Sequence, residues 1–328
     1  MTIETDILVV GAGPTGLFAA YYAGFRGLRV AVLDSLPEPG GQVNAMYPEK
    51  LIHDVAGFPA VRGRDLVASL LDQAAAFSPT YLLGQEAASL ANGTDGRLHV
   101  TTGSGEEVVA KAIVLAGGIG TFTPRPLPVG ENWVGRGVEY FVPQPADYAG
   151  LDVVVVGGGD SAVDWCLALQ PVAKSVRLVH RRDAFRAHGS SVGRARELDI
   201  EFLTPYTVSA LHGNGSLEAV EITRVKPRDD VRRLDCQAVV AALGFTADLG
   251  PLESWGVEMV DRHIVVDSRM ATNVPRVYAA GDITEYPGKV RLIAVGFGEA
   301  ATAVNNAAVA IDPESALFPG HSTDAAAA

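Results

Sequence analysis

The start of the chain alternates short apolar runs with one helical stretch. Residues 6–10 form an apolar run that leads into a glycine-rich segment, and residues 17–23 then show an apolar helical pattern. A second apolar run, residues 28–33, ends at Asp34. Continuous apolar runs of this length, bounded by glycine turns, are typical of buried parallel strands joined by a crossover helix. The pattern predicts a strand–helix–strand unit at the start of the chain.

The same order of elements recurs in the middle of the chain. An apolar run at 152–156 precedes a glycine motif at 157–162, a helical stretch at 163–169 and a second apolar run at 175–179. Two such units far apart in sequence fit separate nucleotide-binding folds better than a short-period repeat. We therefore expect an α/β protein with two Rossmann-like (three-layer) dinucleotide-binding domains.

Composition indicates where the chain passes between these domains. Residues 117–130 are rich in glycine and proline, which suits a domain crossing, and a second crossing is expected near 242–245. We therefore predict one domain formed from residues 1–117 and 244–328, with a second domain, residues 118–243, inserted into it.

Three further stretches predict individual elements. Residues 99–102 and 106–110 flank a Gly-Ser-Gly turn and predict a hairpin. Alanine-rich residues 292–310 predict a long helix, which Asp-Pro-Glu at 312–314 should end.

Charge and composition exclude several classes of function. Lys and Arg number 26 against 38 Asp and Glu, a net charge of −12 that argues against binding to nucleic acid. No uncharged apolar run reaches the roughly 18 residues of a membrane helix, and the early glycine motif leaves no room for a signal peptide. Two cysteines are too few for a disulfide scaffold or a Cys-only metal site. We expect a cytoplasmic protein without nucleic acid, membrane or metal.

The first glycine motif predicts a dinucleotide site. Gly11, Gly13 and Gly16 follow a predicted strand and open a predicted helix. In that context the first glycine permits a tight turn, the second lets a pyrophosphate approach the backbone, and the third lets helix pack on strand. Asp34, at the end of the next strand, is placed to hold a ribose by its hydroxyls. The alternative is a purely structural glycine turn.

The second glycine motif predicts NADP(H) rather than NAD(H). Its following strand ends in His-Arg-Arg, where the first unit has a carboxylate. Guanidinium groups bind a 2′-phosphate, which a carboxylate would repel. The alternative is a solvated basic strand end. The expected contacts lie at the glycine turn and at the end of that strand: Gly157, Gly159, Asp160, Ser161, His180, Arg181 and Arg182.

Two dinucleotide motifs in one chain indicate two nucleotides that exchange electrons, and Asp282 favours FAD for the first. It follows an apolar run and a glycine, so its carboxylate can bond a ribityl hydroxyl; the alternative is an N-cap for the next helix. Amides near Ile293 would stabilise negative charge on a reduced flavin. Gly41 permits close approach to a flat ring and Gln42 offers both donor and acceptor, unless this segment is an ordinary turn.

The motifs GAGPTG, GGQ, GFP, GGGDSA, HRR and AAGD, in this order, resemble the low-molecular-weight thioredoxin reductases over essentially the whole chain. Those enzymes have a Cys-x-x-Cys pair before the second glycine motif, whereas residues 139–145 contain no cysteine. Cys166 and Cys236 are expected in the core. Segments 46–50 (MYPEK) and 319–323 (PGHST) resemble the sub-family without the dithiol, the thioredoxin-reductase-like (type 2) ferredoxin–NADP(+) reductases.

This resemblance implies specific flavin contacts. Tyr47 would stack on one flavin face, and His321, from the tail of the partner subunit in a homodimer, would cover the other. The matching FAD contacts are Thr15, Asp34, Gln42, Tyr47, Ala87, Phe122, Asp282 and Thr323. Asp34 stands where the family often has Glu, and Ala87 where a larger aliphatic residue is usual.

The resemblance also implies an activity. Hydride would pass from NADPH to FAD, and single electrons then to ferredoxin or flavodoxin, reversibly. The flavin performs this chemistry, so no acid–base catalytic residue is expected. Since ferredoxins are generally acidic, a local basic patch must offset the net charge, with candidates Lys50, Arg62, Arg64, Arg125 and Arg194. The alternatives are an NADPH-dependent flavin reductase (diaphorase) acting on a quinone or dedicated partner, and a flavoprotein that only binds or senses.

Overall fold

The computed structural model describes residues 2–142, 144–321 and 323, with Thr121, Phe122 and Ala247 described by their backbone alone. The chain divides into two compact units. The first comprises Met1–Thr121 and Ala247–Ala328, and the second comprises Phe122–Thr246. The boundaries predicted from the sequence, after residues 117 and 243, lie a few residues before these crossings.

Short strands make up most of the regular elements along the chain. The strands are β1 (Thr2–Val10), β2 (Val30–Asp34), β3 (Leu51–Ile52), β4 (Val61–Arg62), β5 (Thr80–Leu83), β6 (Ala87–Asn92), β7 (Leu98–Thr102), β8 (Glu107–Leu115), β9 (Thr121–Pro124), β10 (Val138–Glu139), β11 (Asp152–Val156), β12 (Ser175–Val179), β13 (Ile200–Leu203), β14 (Tyr206–His212), β15 (Ala219–Arg224), β16 (Val231–Asp235), β17 (Ala238–Ala241), β18 (Phe245–Asp248), β19 (Met259–Val260), β20 (His263–Val265), β21 (Val277–Ala279) and β22 (Thr284–Glu285). The helices are α1 (Pro14–Phe25), α2 (Gly41–Met46), α3 (Gly63–Ala75), α4 (Asp160–Leu169), α5 (Gly189–Glu197) and α6 (Ile293–Ile311).

The first unit is built on a sheet in the order β5-β2-β1-β8-β7-β6, with β21 also paired to β8. β1 is parallel to both β2 and β8, and β7 pairs antiparallel to β8, which confirms the predicted hairpin. The side chains of Ile7, Leu8 and Val9 are fully buried because helices cover this sheet. Small residues of α1 and α6, such as Ala20 and Ala303, belong to the same core.

The second unit has a parallel sheet in the order β10-β17-β11-β12-β13. Alternate residues of β11 enter two different cores: Val153 and Val155 pack with α4 and α5, whereas Val154 and Val156 pack with the antiparallel sheet β14-β15-β16. Side chains along a strand point to opposite faces, so β11 needs a layer on each side. The predicted α/β class with two Rossmann-like, layered units is confirmed.

The predicted elements are present with small shifts at their ends. β12 spans 175–179 as expected, and the long C-terminal helix α6 ends at Ile311, just before the Asp-Pro-Glu stop. Among the residues that the structure describes, no helix is both long and apolar enough to cross a membrane.

The turn between β1 and α1 has no room for side chains at two of its three motif glycines. A Cβ atom on Gly11 would lie 2.4 Å from the Ala116 carbonyl oxygen, and Gly11 has a φ of +111°, which L side chains rarely adopt. A Cβ atom on Gly16 would lie 1.8 Å from the Gly11 carbonyl oxygen. A Cβ atom on Gly13 would meet nothing within 4 Å. Gly11 and Gly16 are therefore required by packing, and Gly13 is not.

We expect Gly16→Ala to lower the free energy of unfolding by about 3 kcal/mol, because the added methyl group collides with the Gly11 carbonyl oxygen and can be accommodated only if α1 moves away from β1. Gly13→Ala is the matched control and should cost less than about 1 kcal/mol. Urea denaturation of the flavin-free proteins, followed by circular dichroism, measures both values. Equal losses in the two variants would contradict the packing role of Gly16.

Candidate functional site

The first glycine turn leaves the start of α1 open. Gly13 is the N-cap residue of α1 and makes no side-chain capping hydrogen bond, and Pro14 follows it. The first amides of α1 therefore have no side-chain acceptor and face the open space at Gly13. A helix N-terminus with free amides and no obstructing Cβ is suited to a phosphate group.

The Gly-Gly-Gln segment lies against this turn. The Gly40 amide donates to the Ala12 carbonyl oxygen at 2.8 Å, and a Cβ on Gly41 would lie 3.0 Å from the Gly13 Cα. Gln42 is in the first turn of α2, and its Nε2 is 2.9 Å from the position of a Cβ on Gly118. The segment is thus the start of a short helix held on the glycine turn, rather than an ordinary turn.

Asp34 ends β2 beside the same glycine turn. Its Oδ2 accepts from the Ala12 amide at 2.5 Å and its Oδ1 from the Leu36 amide at 2.8 Å. Burial raises the pKa of Asp34, although these two amides oppose the shift. The hydrogen bonds orient the carboxylate and leave further acceptor capacity on each oxygen.

Asp282 lies in the loop between β21 and β22, residues 280–283, which packs on the start of α1 and is called the Asp282 loop below. Gly281, with a φ of +85°, would place a Cβ 2.9 Å from Thr15 Oγ1, and Gly296 of α6 would place one 2.4 Å from the same atom. Thr15 therefore fits between two glycines that are distant from it in sequence. The expectation that Asp282 could cap α6 is wrong, because β22 intervenes and the N-cap residue is Leu292. Leu292 provides no side-chain cap, so the amides at the start of α6 also lack a side-chain acceptor.

Tyr47 lies close to this loop. Burial raises the pKa of Tyr47 to about 12, and the negative charges of Asp282 and Asp54 add to the shift. Tyr47 and Ile293 both pack against one apolar cluster, whose buried members include Val43. The phenol of Tyr47 therefore stays neutral, and the fold brings it into the same region as Asp282 and the start of α6.

The other expected flavin contacts are placed differently. Ala87 is buried in β6, opposite Thr102 of β7, and none of the contacts described above involves it. The side chain of Phe122 lies outside the described residues. Thr323 and His321 are exposed, and the His321 ring is 5.1 Å from that of Phe318.

The C-terminal tail is anchored by a residue that the sequence pattern does not reveal. The Arg26 guanidinium donates to the Ala316 carbonyl oxygen at 2.8 Å, to the Leu317 carbonyl oxygen at 2.9 Å and to Asn305 Oδ1 at 2.7 Å. Leu317 and Phe318 remain 55% and 59% exposed in the single chain. Only the fold could reveal this anchor, because Arg26 is far from the tail in sequence.

The second glycine turn repeats the geometry of the first. A Cβ on Gly157 would lie 2.4 Å from the Ala242 carbonyl oxygen and 2.8 Å from Ala162 Cβ, whereas one on Gly159 would meet nothing within 4 Å. Gly159 is the N-cap residue of α4 and makes no side-chain capping hydrogen bond. Asp160 and Ser161, in the first turn of α4, are exposed.

The loop after β12 returns to this second turn. The Arg186 amide donates to the Gly158 carbonyl oxygen at 2.8 Å, and the His188 amide donates to Asp160 Oδ1 at 2.9 Å. The His180 imidazole covers Gly158, where a Cβ would lie 2.2 Å from its Cε1. His188 is the N-cap residue of α5.

The charges of three arginines act on His180. Burial lowers the pKa of His180 and the charges of Arg181, Arg182 and Arg186 lower it further, against a hydrogen bond with the Ala184 backbone that raises it, so the imidazole is neutral near pH 7. All three arginines are exposed. Sequence reasoning missed Arg186; its signal was a third arginine closely following the first two.

Both cysteines are buried thiols, as predicted. Cys166 packs in the α4–α5 core and Cys236 in the core beneath β14–β16. Burial raises the pKa of Cys166 and raises that of Cys236 to about 12. Neither thiol forms the reactive thiolate near pH 7.

The basic-patch candidates differ in their surroundings. Arg64 and Arg62 face Glu49, with nitrogen–oxygen distances of 2.7 Å and 3.8 Å. Arg125 donates to the Phe245 carbonyl oxygen at 3.3 Å, and Arg194 is exposed on the last turn of α5. Glu49 thus offsets part of the positive charge of the first two.

The comparisons with known proteins agree with this geometry. The sequence model of the family described as pyridine nucleotide-disulphide oxidoreductase matches residues 5–308. A ferredoxin–NADP reductase of Salinispora arenicola is 64% identical over 321 residues, which cover 98% of this chain and 99% of that protein. A ferredoxin–NADP reductase of Nocardioides sp. is 62% identical over 325 residues, covering 98% of each.

Solved structures support the same assignment. Thioredoxin reductase from T. acidophilum has a TM-score of 0.76 at 27% identity, covering 95% of this chain and 99% of that one. Lactococcus lactis thioredoxin reductase has a TM-score of 0.75 at 25% identity, covering 94% and 99%. The resemblance predicted from the motifs is confirmed. This chain belongs to the pyridine nucleotide-disulphide oxidoreductase family and, within it, to the ferredoxin–NADP reductases of the thioredoxin-reductase-like type.

Proposed function

We propose that the protein transfers electrons between NADPH and ferredoxin, with FAD held at the first glycine turn and NADP(H) at the second. The observation that supports this most directly is that the two glycine turns share one geometry, each with no side-chain cap at the helix N-terminus, but have side chains of opposite charge beside them. Asp34 lies beside the first turn, and Arg181, Arg182 and Arg186 lie in the loop that returns to the second. Like its relatives, the enzyme uses FAD and NADPH.

The residues of the first unit fit FAD. Gly13 leaves the space that a pyrophosphate needs, and the amides at the start of α1 would donate to it. Asp34 would accept from ribose hydroxyls and Asp282 from the ribityl chain. Tyr47, kept neutral by its pKa of about 12, offers an uncharged ring for stacking. The contacts proposed for Gln42, Ala87, Phe122, Ile293 and Thr323 follow from the family resemblance and remain predictions.

The residues of the second unit fit NADP(H). Gly159 and the start of α4 repeat the phosphate-binding geometry. The arginines would bind a 2′-phosphate in bidentate fashion, whereas NAD(H) offers them no matching charge. Neutral His180, lying over Gly158, contributes shape to the site without adding charge.

The bound flavin supplies the redox chemistry, accepting electrons from NADPH in a pair and passing them on singly. The protein therefore has to bind and orient the two nucleotides and exclude water from between them, and none of its side chains has to act as an acid or base. Flavodoxin is a second proposed acceptor, and the reaction is reversible in principle. A cytoplasmic location and a homodimer, whose partner tail would place His321 on the flavin, are further proposals from composition and from the family resemblance.

Ferredoxin-dependent reduction of cytochrome c by NADPH tests the function. We expect reduction that depends on added ferredoxin and saturates with it, because the enzyme delivers single electrons to that partner. Menadione replaces ferredoxin in a parallel assay. Turnover with menadione but none with ferredoxin would contradict the proposal and favour a general flavin reductase.

The same assay examines a thiol route. The double variant Cys166→Ala/Cys236→Ala should keep ferredoxin reduction within about threefold of wild type, because both thiols stay protonated in the core. Loss of turnover with intact folding and flavin content would show that a cysteine takes part.

The double variant Arg181→Ala/Arg182→Ala should raise the KM for NADPH at least tenfold and leave that for NADH nearly unchanged. Each lost charged hydrogen bond costs roughly 1.5–3 kcal/mol, or about one to two decades. Arg233→Ala, an exposed arginine on β16, is the control and should change neither KM. Equal effects of the double variant on both nucleotides would overturn the 2′-phosphate role.

Substituting His321 should alter the rate of flavin reduction. We expect His321→Ala to change the stopped-flow rate with NADPH while FAD content stays constant, because a ring stacked on the flavin must move before nicotinamide can bind. Stacking contributes about 0.5–1.5 kcal/mol. Glu314→Ala, an exposed change in the same tail, is the control. An unchanged rate and an unchanged flavin spectrum would contradict the stacking assignment.

A further inference from the structure

A buried ion pair lies behind the Asp282 loop. The side chains of Lys289 and Glu299 are 1% and 5% exposed, and Lys289 Nζ is 2.5 Å from Glu299 Oε1. The Tyr286 hydroxyl donates to the same oxygen at 2.6 Å. Burying two charges carries a large desolvation cost, and an apolar pair of similar volume is often as stable. The pair therefore calls for an explanation other than stability.

Both charges are bonded to the backbone of one residue. The Gly281 amide donates to Glu299 Oε2 at 2.7 Å, and the Gly281 carbonyl oxygen accepts from Lys289 Nζ at 2.9 Å. The Thr284 hydroxyl donates to that carbonyl oxygen at 2.8 Å. The anion thus fixes the peptide before Gly281 and the cation fixes the peptide that leads into Asp282.

The other side of Gly281 is closed by α1. A Cβ at Gly281 would lie 2.9 Å from Thr15 Oγ1, and α6 approaches the same hydroxyl at Gly296. The loop is therefore held between Thr15 on one side and the ion pair on the other. Because Asp282 comes next in the chain, the direction of its backbone is set by these contacts.

We propose that Lys289 and Glu299 are positioning residues that orient Asp282 for FAD and balance the charge beside it. This inference rests on the proposed binding of FAD at the Asp282 loop. Neither side chain is assigned a contact with the flavin; both act through Gly281. The Glu299 carboxylate holds the Gly281 amide. The Lys289 ammonium neutralises the charge of Glu299, so that Glu299 adds no second negative charge beside Asp282.

The two single variants should affect the flavin with opposite signs. Lys289→Met leaves the Glu299 carboxylate uncompensated, so adding electrons to the flavin becomes harder and its midpoint potential falls. Glu299→Gln keeps an acceptor for the Gly281 amide but leaves the ammonium uncompensated, so the potential rises. A loosened loop would instead shift both potentials in the same direction.

Titration of flavin-free protein with FAD, followed by flavin fluorescence, gives the second readout. We expect each single variant to raise the Kd at least tenfold, since breaking a buried pair strands a charge. The neutral double variant K289M/E299Q should recover only part of this loss, because it still lacks the bond from Lys289 Nζ to the Gly281 carbonyl oxygen. If a single variant folds poorly, Lys289→Arg replaces it in the comparison. This variant keeps the charge, so its FAD affinity should stay near that of wild type. Melting of the flavin-free proteins checks folding.

Lys111→Met is the matched control. Lys111 pairs with Asp6 at 2.9 Å in the same unit, but that pair makes no described contact with the Asp282 loop. It should change neither FAD affinity nor midpoint potential. Wild-type apoprotein that fails to bind FAD would overturn the proposed function itself. If wild type binds FAD, an unchanged Kd in both K289M and E299Q would overturn the positioning role. Potential shifts of the same sign, or none, would overturn the charge balance.

Discussion

A strand-to-helix turn too tight for a side chain underlies both halves of this protein. In the first unit the Gly11 carbonyl oxygen occupies the space where a Cβ of Gly16 would lie, which brings α1 close to β1. In the second unit Gly157 approaches Ala162 and Ala242 in the same manner. At the same turns the N-cap residues Gly13 and Gly159 make no side-chain capping hydrogen bond, and a Cβ on either would meet nothing within 4 Å. Close packing of helix on strand and an open helix N-terminus thus occur at the same turn in each unit.

The charges added around this shared turn separate the two sites. The first turn carries a carboxylate, Asp34, held by backbone amides, and the second carries a loop of exposed arginines tied back to Gly158. A carboxylate suits ribose hydroxyls and guanidinium groups suit a 2′-phosphate, which supports the proposal that the first turn binds FAD and the second NADP(H). The buried pair of Lys289 and Glu299 carries no net charge, so the negative charges beside the first turn are those of Asp34 and Asp282.

Local sequence was sufficient to predict much of the fold, including the two glycine turns beside which the candidate sites lie. The glycine spacings, the apolar runs and the end of α6 before Asp-Pro-Glu follow from interactions between near neighbours, so the pattern predicts them well. The alternative in which Asp282 caps α6 is wrong, because the strand β22 lies between them. This strand was missed because two residues give no strong apolar signal in the sequence.

Contacts between distant segments could not be predicted in this way. Arg26 holds a tail at the far end of the chain, and Arg186 returns to the second turn through its backbone amide. The sequence around Lys289 and Glu299 is typical of surface charges, and both side chains are buried only because α6 packs against the Asp282 loop. Each of these depends on how the chain returns on itself rather than on local propensity.

The central claim is that the two turns hold an NADPH and a flavin that exchange electrons. Anaerobic stopped-flow mixing of the purified protein with NADPH, and separately with NADH, tests it most directly. We expect full bleaching of one FAD per chain, much faster with NADPH than with NADH at equal concentration, and recovery of the oxidised spectrum when oxidised ferredoxin is added. A flavin that stays oxidised in excess NADPH, or reduced flavin that ferredoxin does not reoxidise, would contradict it.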